Sequence, residues 1–288
     1  MQLVMEHVTY SYPGNPSPIL KDISFTIEEG EWVCLLGRTG SGKSTLVQLL
    51  NGLLYPTKGH IRIDGIDPSQ SKHGWTKWRR HIGLVFQYPE HQLFADQVAR
   101  DVSFALEAQG IVPPCEYDER VNRSLSAVGL SPSQYRERNP FQLSGGEKRR
   151  VAIACTLVYE PAILILDEPT AGLDPGQRKE LLHLLAAWQR ERGVTIISVT
   201  HDIGEFAPFA KRALVLNEGC LTYDGDLSSL LASPAPLFEA GLDLPSLARV
   251  VYDLKKRGWK LDAKQFQLSS IKDEILNEWK KRTMEEAR

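Results

Sequence analysis

Four cysteines in 288 residues are too few and too scattered for a disulfide framework. Cys34, Cys115, Cys155 and Cys220 include no C-x-x-C pair. Cys34 falls in a strand-like apolar run and Cys155 in a helical one, where a thiol packs as a small hydrophobe. The expectation is a reducing compartment and no structural metal. Long apolar stretches are also missing: nowhere do the roughly 18 residues of a membrane span run uninterrupted. Met1-Gln2-Leu3-Val4-Met5-Glu6 has no basic stretch leading into an apolar one, so no secretory signal is expected. Nor is there an excess of one charge, since 34 Lys and Arg stand against 36 Asp and Glu, a net charge of −2. That balance gives no broad basic face and argues against a nucleic-acid partner. Internal repeats and low-complexity blocks are absent. What remains, 42% apolar and 24% charged residues, is the composition of a globular protein with a real core. Such a chain is expected in the cytoplasm, reaching any membrane only through a partner.

One loop organises the rest. Gly37-Arg38-Thr39-Gly40-Ser41-Gly42-Lys43-Ser44-Thr45 fits G-x-x-x-x-G-K-[ST]. Trp32 to Leu36 before it reads as a buried strand, and Leu46, Val47, Leu49, Leu50, Leu53 and Leu54 after it recur at helical spacing. A triphosphate needs backbone N–H groups turned inward at close range, which residues without a Cβ permit. The helix that follows aims its positive end at the same anion. Lys43 then reaches the β- and γ-phosphates, and Ser44 offers its hydroxyl to Mg²⁺. A glycine- and serine-rich turn before an ordinary helix is the competing reading, and the strand–loop–helix context argues against it.

Around this loop the pattern is α/β. Leu3–Tyr12, Ile23–Ile27 and His60–Ile63 read as a small antiparallel β layer, with Pro13 to Pro18 as a loop. Ile82–Gln87 reads as a buried strand, and Glu90–Phe94 as one helical turn. Val98 to Tyr159 turns helical, with breaks at Gly110–Pro114 and Ser131–Ser133, as a helical subdomain inserted into the core. Ala162–Leu166, Val194–Val199 and Ala213–Leu216 are further strands. Between the first two, Leu181, Leu182, Leu184, Leu185 and Trp188 mark a helix that Gly193 ends. Alternating strands and helices imply a parallel sheet with ligands at its carboxyl ends. Beyond Leu227 the composition shifts: Ser233–Pro236 reads as a linker, Pro245 opens one helix, and Ser270 caps another with Asp273 at its third position.

Leu166-Asp167-Glu168 closes a buried strand with two carboxylates, which must lie at its open end because two unpaired buried charges cost too much. Pro169 takes the chain out of the sheet, so both carboxylates serve one site. Asp167 suits the Mg²⁺ shell through water, and Glu168 suits a general base or water-positioner beside the γ-phosphate. Gln87 and His201 also end strands and face the same cleft. Leu143-Ser144-Gly145-Gly146-Glu147 has two compatible readings: an S-x-x-E capping box, and a second anion site at a helix start. One nucleotide needs one cradle, so the second faces a nucleotide held by another subunit. Tyr12 either stacks on an adenine or is a half-exposed strand aromatic.

At these residues the chain resembles the ABC ATPases over about Leu3 to Asp226, with every motif in family order. Gly37–Thr45 is similar to the Walker A loop and Ile163–Glu168 to Walker B with its catalytic glutamate. Gln87 matches the Q-loop, Leu143–Glu147 the signature, Ala171–Asp174 the D-loop and His201 the switch histidine. Glu147 stands where that family more often has glutamine. The resemblance implies a P-loop core at 1–226 with the helical subdomain at about 95–159, and a helical extension at 227–288. It also implies ATP and Mg²⁺ as ligands. Tyr12 would sit on the adenine; Gly37, Gly40, Ser41, Gly42, Lys43, Ser44 and Thr45 would hold the phosphates. Ser144, Gly145, Gly146 and Asp174 would lie at the joint with a second subunit. Ser44, Gln87 and Asp167 would hold the metal, and Glu168, His201 and Gln87 would serve hydrolysis.

Leu84–Phe94 is similar, more narrowly, to the segment after the Q-loop in energy-coupling-factor transporter ATPases, importers of vitamins and metal ions. Pro89–Phe94 and Asp167–Asp174 resemble the second of their paired ATPase subunits, and the extension from Gly241-Leu242-Asp243-Leu244-Pro245 onward is similar to theirs. This implies a related rather than identical ATPase partner and a transmembrane T component touched by Glu90, Leu93 and Phe94. A substrate-capture membrane protein would be engaged indirectly, at the cytoplasmic face of the membrane. Another ABC transporter, or a soluble ABC ATPase, is the alternative. The latter typically carries coiled-coil or tandem-cassette insertions not found here. A guanine-reading N-K-x-D segment is absent, against a GTPase.

Overall fold

The structure, a computed structural model, describes residues 1–15, 17–110, 112–261 and 268–286. Pro16 of the expected Pro13–Pro18 loop and Ile111 of the expected 110–114 break lie outside the described residues. The strands are β1 (Leu3–Tyr10), β2 (Leu20–Ile27), β3 (Trp32–Leu36), β4 (Lys58–Ile63), β5 (Ile82–Val85), β6 (Ile163–Asp167), β7 (Thr195–Val199), β8 (Arg212–Asn217) and β9 (Cys220–Asp226). They form an antiparallel sheet of order β2-β1-β4 and a six-stranded sheet of order β5-β6-β7-β3-β8-β9. In the larger sheet β5, β6, β7, β3 and β8 run parallel and β9 antiparallel.

Strand period explains the layering. Every residue of β3 is buried, and its alternation sends Trp32, Cys34 and Leu36 to one core and Val33 and Leu35 to the other. The second core is shared with the antiparallel sheet and with α1 (Lys43–Leu50), through Leu46, Val47, Leu49 and Leu50. The first core packs against α3 (Val98–Gln109), α4 (Tyr117–Ala127), α6 (Gly145–Leu157) and α7 (Pro175–Arg192). The remaining helices are α2 (Gly74–His81), α5 (Pro132–Tyr135), α8 (Ile203–Phe206), α9 (Leu227–Ala232), α10 (Ala235–Glu239), α11 (Ser246–Lys256) and α12 (Leu268–Glu286). Gly193 ends α7 in a left-handed conformation, its N–H bonded to the Gln189 carbonyl.

The structure departs from the sequence reading at several points. β9 was not expected. It closes a hairpin through Glu218 and Gly219, both at positive φ (48° and 80°), as a two-residue primed turn requires. α2 was not expected either, because only Trp78 of its eight residues is buried and its apolar face is a single pair, Trp75 and Trp78. β1 ends at Tyr10, two residues before Tyr12. The Ser233–Pro236 segment is no free linker: Leu230, Leu231 and Leu237 around it are part of the main core. α12 begins at Leu268, so Ser270 lies inside its first turn rather than at its cap.

Candidate nucleotide site

The loop after β3 is built for close approach. A Cβ on Gly37 would collide with the Leu216 carbonyl oxygen and the Ser41 hydroxyl. Gly42, at φ 107°, leads into α1 with no side chain capping the helix and no acid in its first turn. The first amides and the dipole of α1 therefore meet no anion from the helix's own first turn. Lys43 Nζ donates to the carbonyls of Gly37 (2.6 Å) and Arg38 (2.9 Å), bracing the loop around its own charge. Ser41 is buried, and its hydroxyl has no hydrogen-bond partner among the described residues.

Sheet order assembles the rest. β5, β6, β7 and β3 are consecutive neighbours, and their carboxyl ends deliver Gln87, Asp167 with Glu168, His201 and the loop. A cleft of about 660 Å³ is lined by Gly40, Gly42, Lys43, Ser44, Thr45, Gln87, Asp167, Glu168 and His201, together with Ile19, Thr39, Tyr88 and Ala171. Glu168 sits at φ 50°, a left-handed conformation that costs a non-glycine residue about 1–2 kcal/mol. This kink takes the chain out of the sheet after Asp167. His201 Nδ1 lies 2.7 Å from Glu168 Oε1, so the ring donates to the carboxylate and orients it. Burial pushes the Asp167 pKa up, Glu168 adds to this, and Lys43 opposes it. Burial lowers the Lys43 pKa against the pull of Glu168 and Asp167. A cation beside Asp167 and a polyphosphate beside Lys43 would each favour the charged form. The oxygen donors of Ser44, Gln87 and Asp167 suit Mg²⁺.

Tyr12 stands at the edge of the cleft, 39% exposed, its hydroxyl 3.2 Å from Thr45 Oγ1 and its ring edge-on to Tyr10. Gly37 and Ser41 lie beneath the loop and shape it. Ser144, Gly145, Gly146 and Asp174 do not line the cleft. Ser144 caps α6 in a full capping box with Glu147, and Asp174 caps α7 by accepting from the amides of Gly176 and Gln177. Sequence reasoning missed a brace beside the site. Thr170 donates to Glu205 of α8 (2.7 Å), and Arg178 joins Glu205 (2.5 Å) to the Leu173 carbonyl (2.7 Å). It ties the 168–174 segment to the helix following His201.

The three expected membrane-partner contacts differ in exposure, and Glu90 and Leu93 line an open groove with His91, Pro140, Phe141, Gly145 and Lys148. Leu93 is only 8% exposed and belongs to the main core. Glu90 is engaged by Arg149 of α6, which is 3% exposed and grips it with Nε at 3.2 Å and a terminal nitrogen at 3.0 Å. Removing that carboxylate would strand a buried guanidinium. Phe94, 61% exposed and edge-on to Phe104, is the most exposed of the set. No described helix is long and apolar enough to cross a membrane.

Comparison with known proteins places these features. A family model described as "ABC transporter" matches residues 20–171. The chain is 40% identical to the energy-coupling factor transporter ATP-binding protein EcfA2 of Clostridium perfringens over 279 residues, 96% of this chain and 98% of that protein. It is 44% identical to the EcfA2 of Symbiobacterium thermophilum over 264 residues, 91% of each. Among solved structures it resembles cbiO1 of Clostridium perfringens, part of the ABC transporter complex cbiONQ, with a TM-score of 0.74 and 39% identity over 86% of this chain and 98% of that one. It also resembles a dimeric ATP-binding cassette in a post-hydrolysis state bound to ADP and Pi, with a TM-score of 0.69 and 32% identity over 78% of this chain and 98% of that one.

Proposed function

The chain belongs to the ABC transporter family, among its energy-coupling factor ATP-binding proteins, and is an ATP hydrolase. On that premise we propose that it powers an importer of vitamins or metal ions from the cytoplasmic face of the membrane. Likeness to the EcfA2 proteins over nearly the whole chain supports the transport part of this reading, and the convergence of four neighbouring strand ends on one cleft supports the hydrolysis that drives it.

In this reading Lys43 and the amides entering α1 hold the β- and γ-phosphates, and Tyr12 stacks on the adenine. Ser44, Gln87 and Asp167 would hold Mg²⁺, whose charge would neutralise the phosphate oxygens. Glu168, oriented by His201, takes the proton of the attacking water. The counterparts of Ser144, Gly145 and Gly146 in a second, related ATPase subunit close over the γ-phosphate, as this chain's own Ser144, Gly145 and Gly146 close over the partner's nucleotide, with Asp174 at the joint. ATP thus holds two subunits together, and hydrolysis lets them part. The motion reaches a transmembrane T component through the Gln87–Phe94 segment, by way of Glu90, Leu93 and Phe94. The substrate-capture membrane protein is engaged only indirectly, and nucleic acid has no part.

The test is Glu168→Gln together with the equivalent change in the partner subunit, so that no intact site masks the effect. ATP turnover should fall roughly 10²–10⁴-fold, while ATP binding persists and a closed dimer accumulates in sedimentation. Hydrolysis at the native rate would overturn the role given to Glu168.

A further inference from the structure

The amino end of α6 already holds an anion of its own. Ser144 gives both of its protons to one oxygen: the backbone N–H at 2.8 Å and the hydroxyl at 2.7 Å both meet Glu147 Oε2. The other carboxylate oxygen accepts from the Tyr135 hydroxyl at 2.7 Å, with Arg138 at 3.8 Å. Glu147 is therefore clamped at both ends. Bonds from Tyr135 first, then from Ser144, hold its pKa down at about 2. It is an anion at any working pH.

A serine hydroxyl has one proton to donate. While Glu147 holds it, that proton is not available to a phosphate, and the carboxylate repels an incoming one. We propose that Glu147 is a positioning residue that withholds the Ser144 hydroxyl, so this chain's half of the composite site is held back until Glu147 lets go. This inference rests on the composite-site reading above. It makes the nucleotide cradled by this chain's Ser144 more weakly held than it would be beneath a free serine hydroxyl. A neutral amide of the same shape accepts the hydroxyl with a weaker, uncharged bond and carries no repelling charge, so Glu147→Gln should release Ser144.

The experiment uses the full chain with its partner ATPase subunit, both carrying the glutamate-to-glutamine change that stops turnover, and titrates association with ATP by light scattering. Four versions are compared: the parent, Glu147→Gln, Ser144→Ala and the double change. Glu147→Gln should lower the ATP concentration for half-association roughly tenfold, and Ser144→Ala should cost more with Gln at 147 than with Glu. Tyr135→Phe, which loosens the clamp and leaves the helix cap in place, should shift association in the same direction by less. An unchanged ATP requirement in Glu147→Gln, or an equal cost of Ser144→Ala in both backgrounds, overturns the inference and assigns Glu147 to capping alone. If the parent pair never associates with ATP, the composite-site reading falls and takes this inference with it.

Discussion

Two helices of this molecule start at glycine- and serine-rich turns, and they start differently. α1 begins at Gly42 with no capping side chain and no acid in its first turn. α6 begins at Ser144 with a complete capping box and Glu147 in its first turn. Both present the positive end of a helix dipole, yet only the first leaves that end unopposed; at the second a foreign phosphate meets Glu147 first. A glycine-rich helix start becomes a receptor where the chain supplies no anion of its own. Where it does supply one, the same backbone becomes a stabilising cap.

Breaking the open end should have the largest effect. Lys43→Ala removes a charged donor to phosphate and frees the Gly37 and Arg38 carbonyls it braces. ATP affinity in calorimetric titration should drop roughly 100-fold, with little change in melting temperature. At the closed end the order reverses. Ser144→Ala should cost about 1 kcal/mol of stability as a lost cap, read as a lowered melting temperature with this subunit's own nucleotide affinity unchanged.

A further test sharpens the contrast by pH. The Glu147 carboxyl titrates near 2 in the fold, against an ordinary 4.5. Its stabilising contribution is therefore complete above about pH 4.5 and is lost as pH falls through about 2. Melting temperatures followed by circular dichroism down to pH 2 should fall more steeply for the native chain than for Glu147→Gln. Parallel curves would break the comparison.

Legibility in the sequence followed the range of the interactions. The loop, its flanking strand and helix, and the carboxylate pair were readable because each is a local pattern whose meaning survives without tertiary partners. Gln87 and His201 were readable as strand ends, since ligands gather at the carboxyl ends of a parallel sheet. The Glu90–Arg149 pair was not readable, for its members stand 59 residues apart. In the sequence Arg149 is one of three adjacent bases, Lys148-Arg149-Arg150, with nothing to mark it as buried. The burial of Leu93 was not readable either, because a short turn carries no periodicity to tell inside from outside. β9 escaped because its residues are only half-buried or exposed, and α2 because its apolar side is only Trp75 and Trp78 in an otherwise polar segment. Trp78 Nε1 donates to the Leu50 carbonyl at 2.6 Å.

The position of β3 carries a consequence for biosynthesis. Its neighbours in the sheet are β7 and β8, so the strand that launches the phosphate loop is made early and waits for residues 195–217 before it has anything to pair with. During translation, emerging from the ribosome at about 5–20 residues per second, the nascent chain carries an exposed apolar segment through most of its synthesis. Nucleotide binding should therefore be among the last properties the protein acquires as it folds, after its helical insertion has already been made.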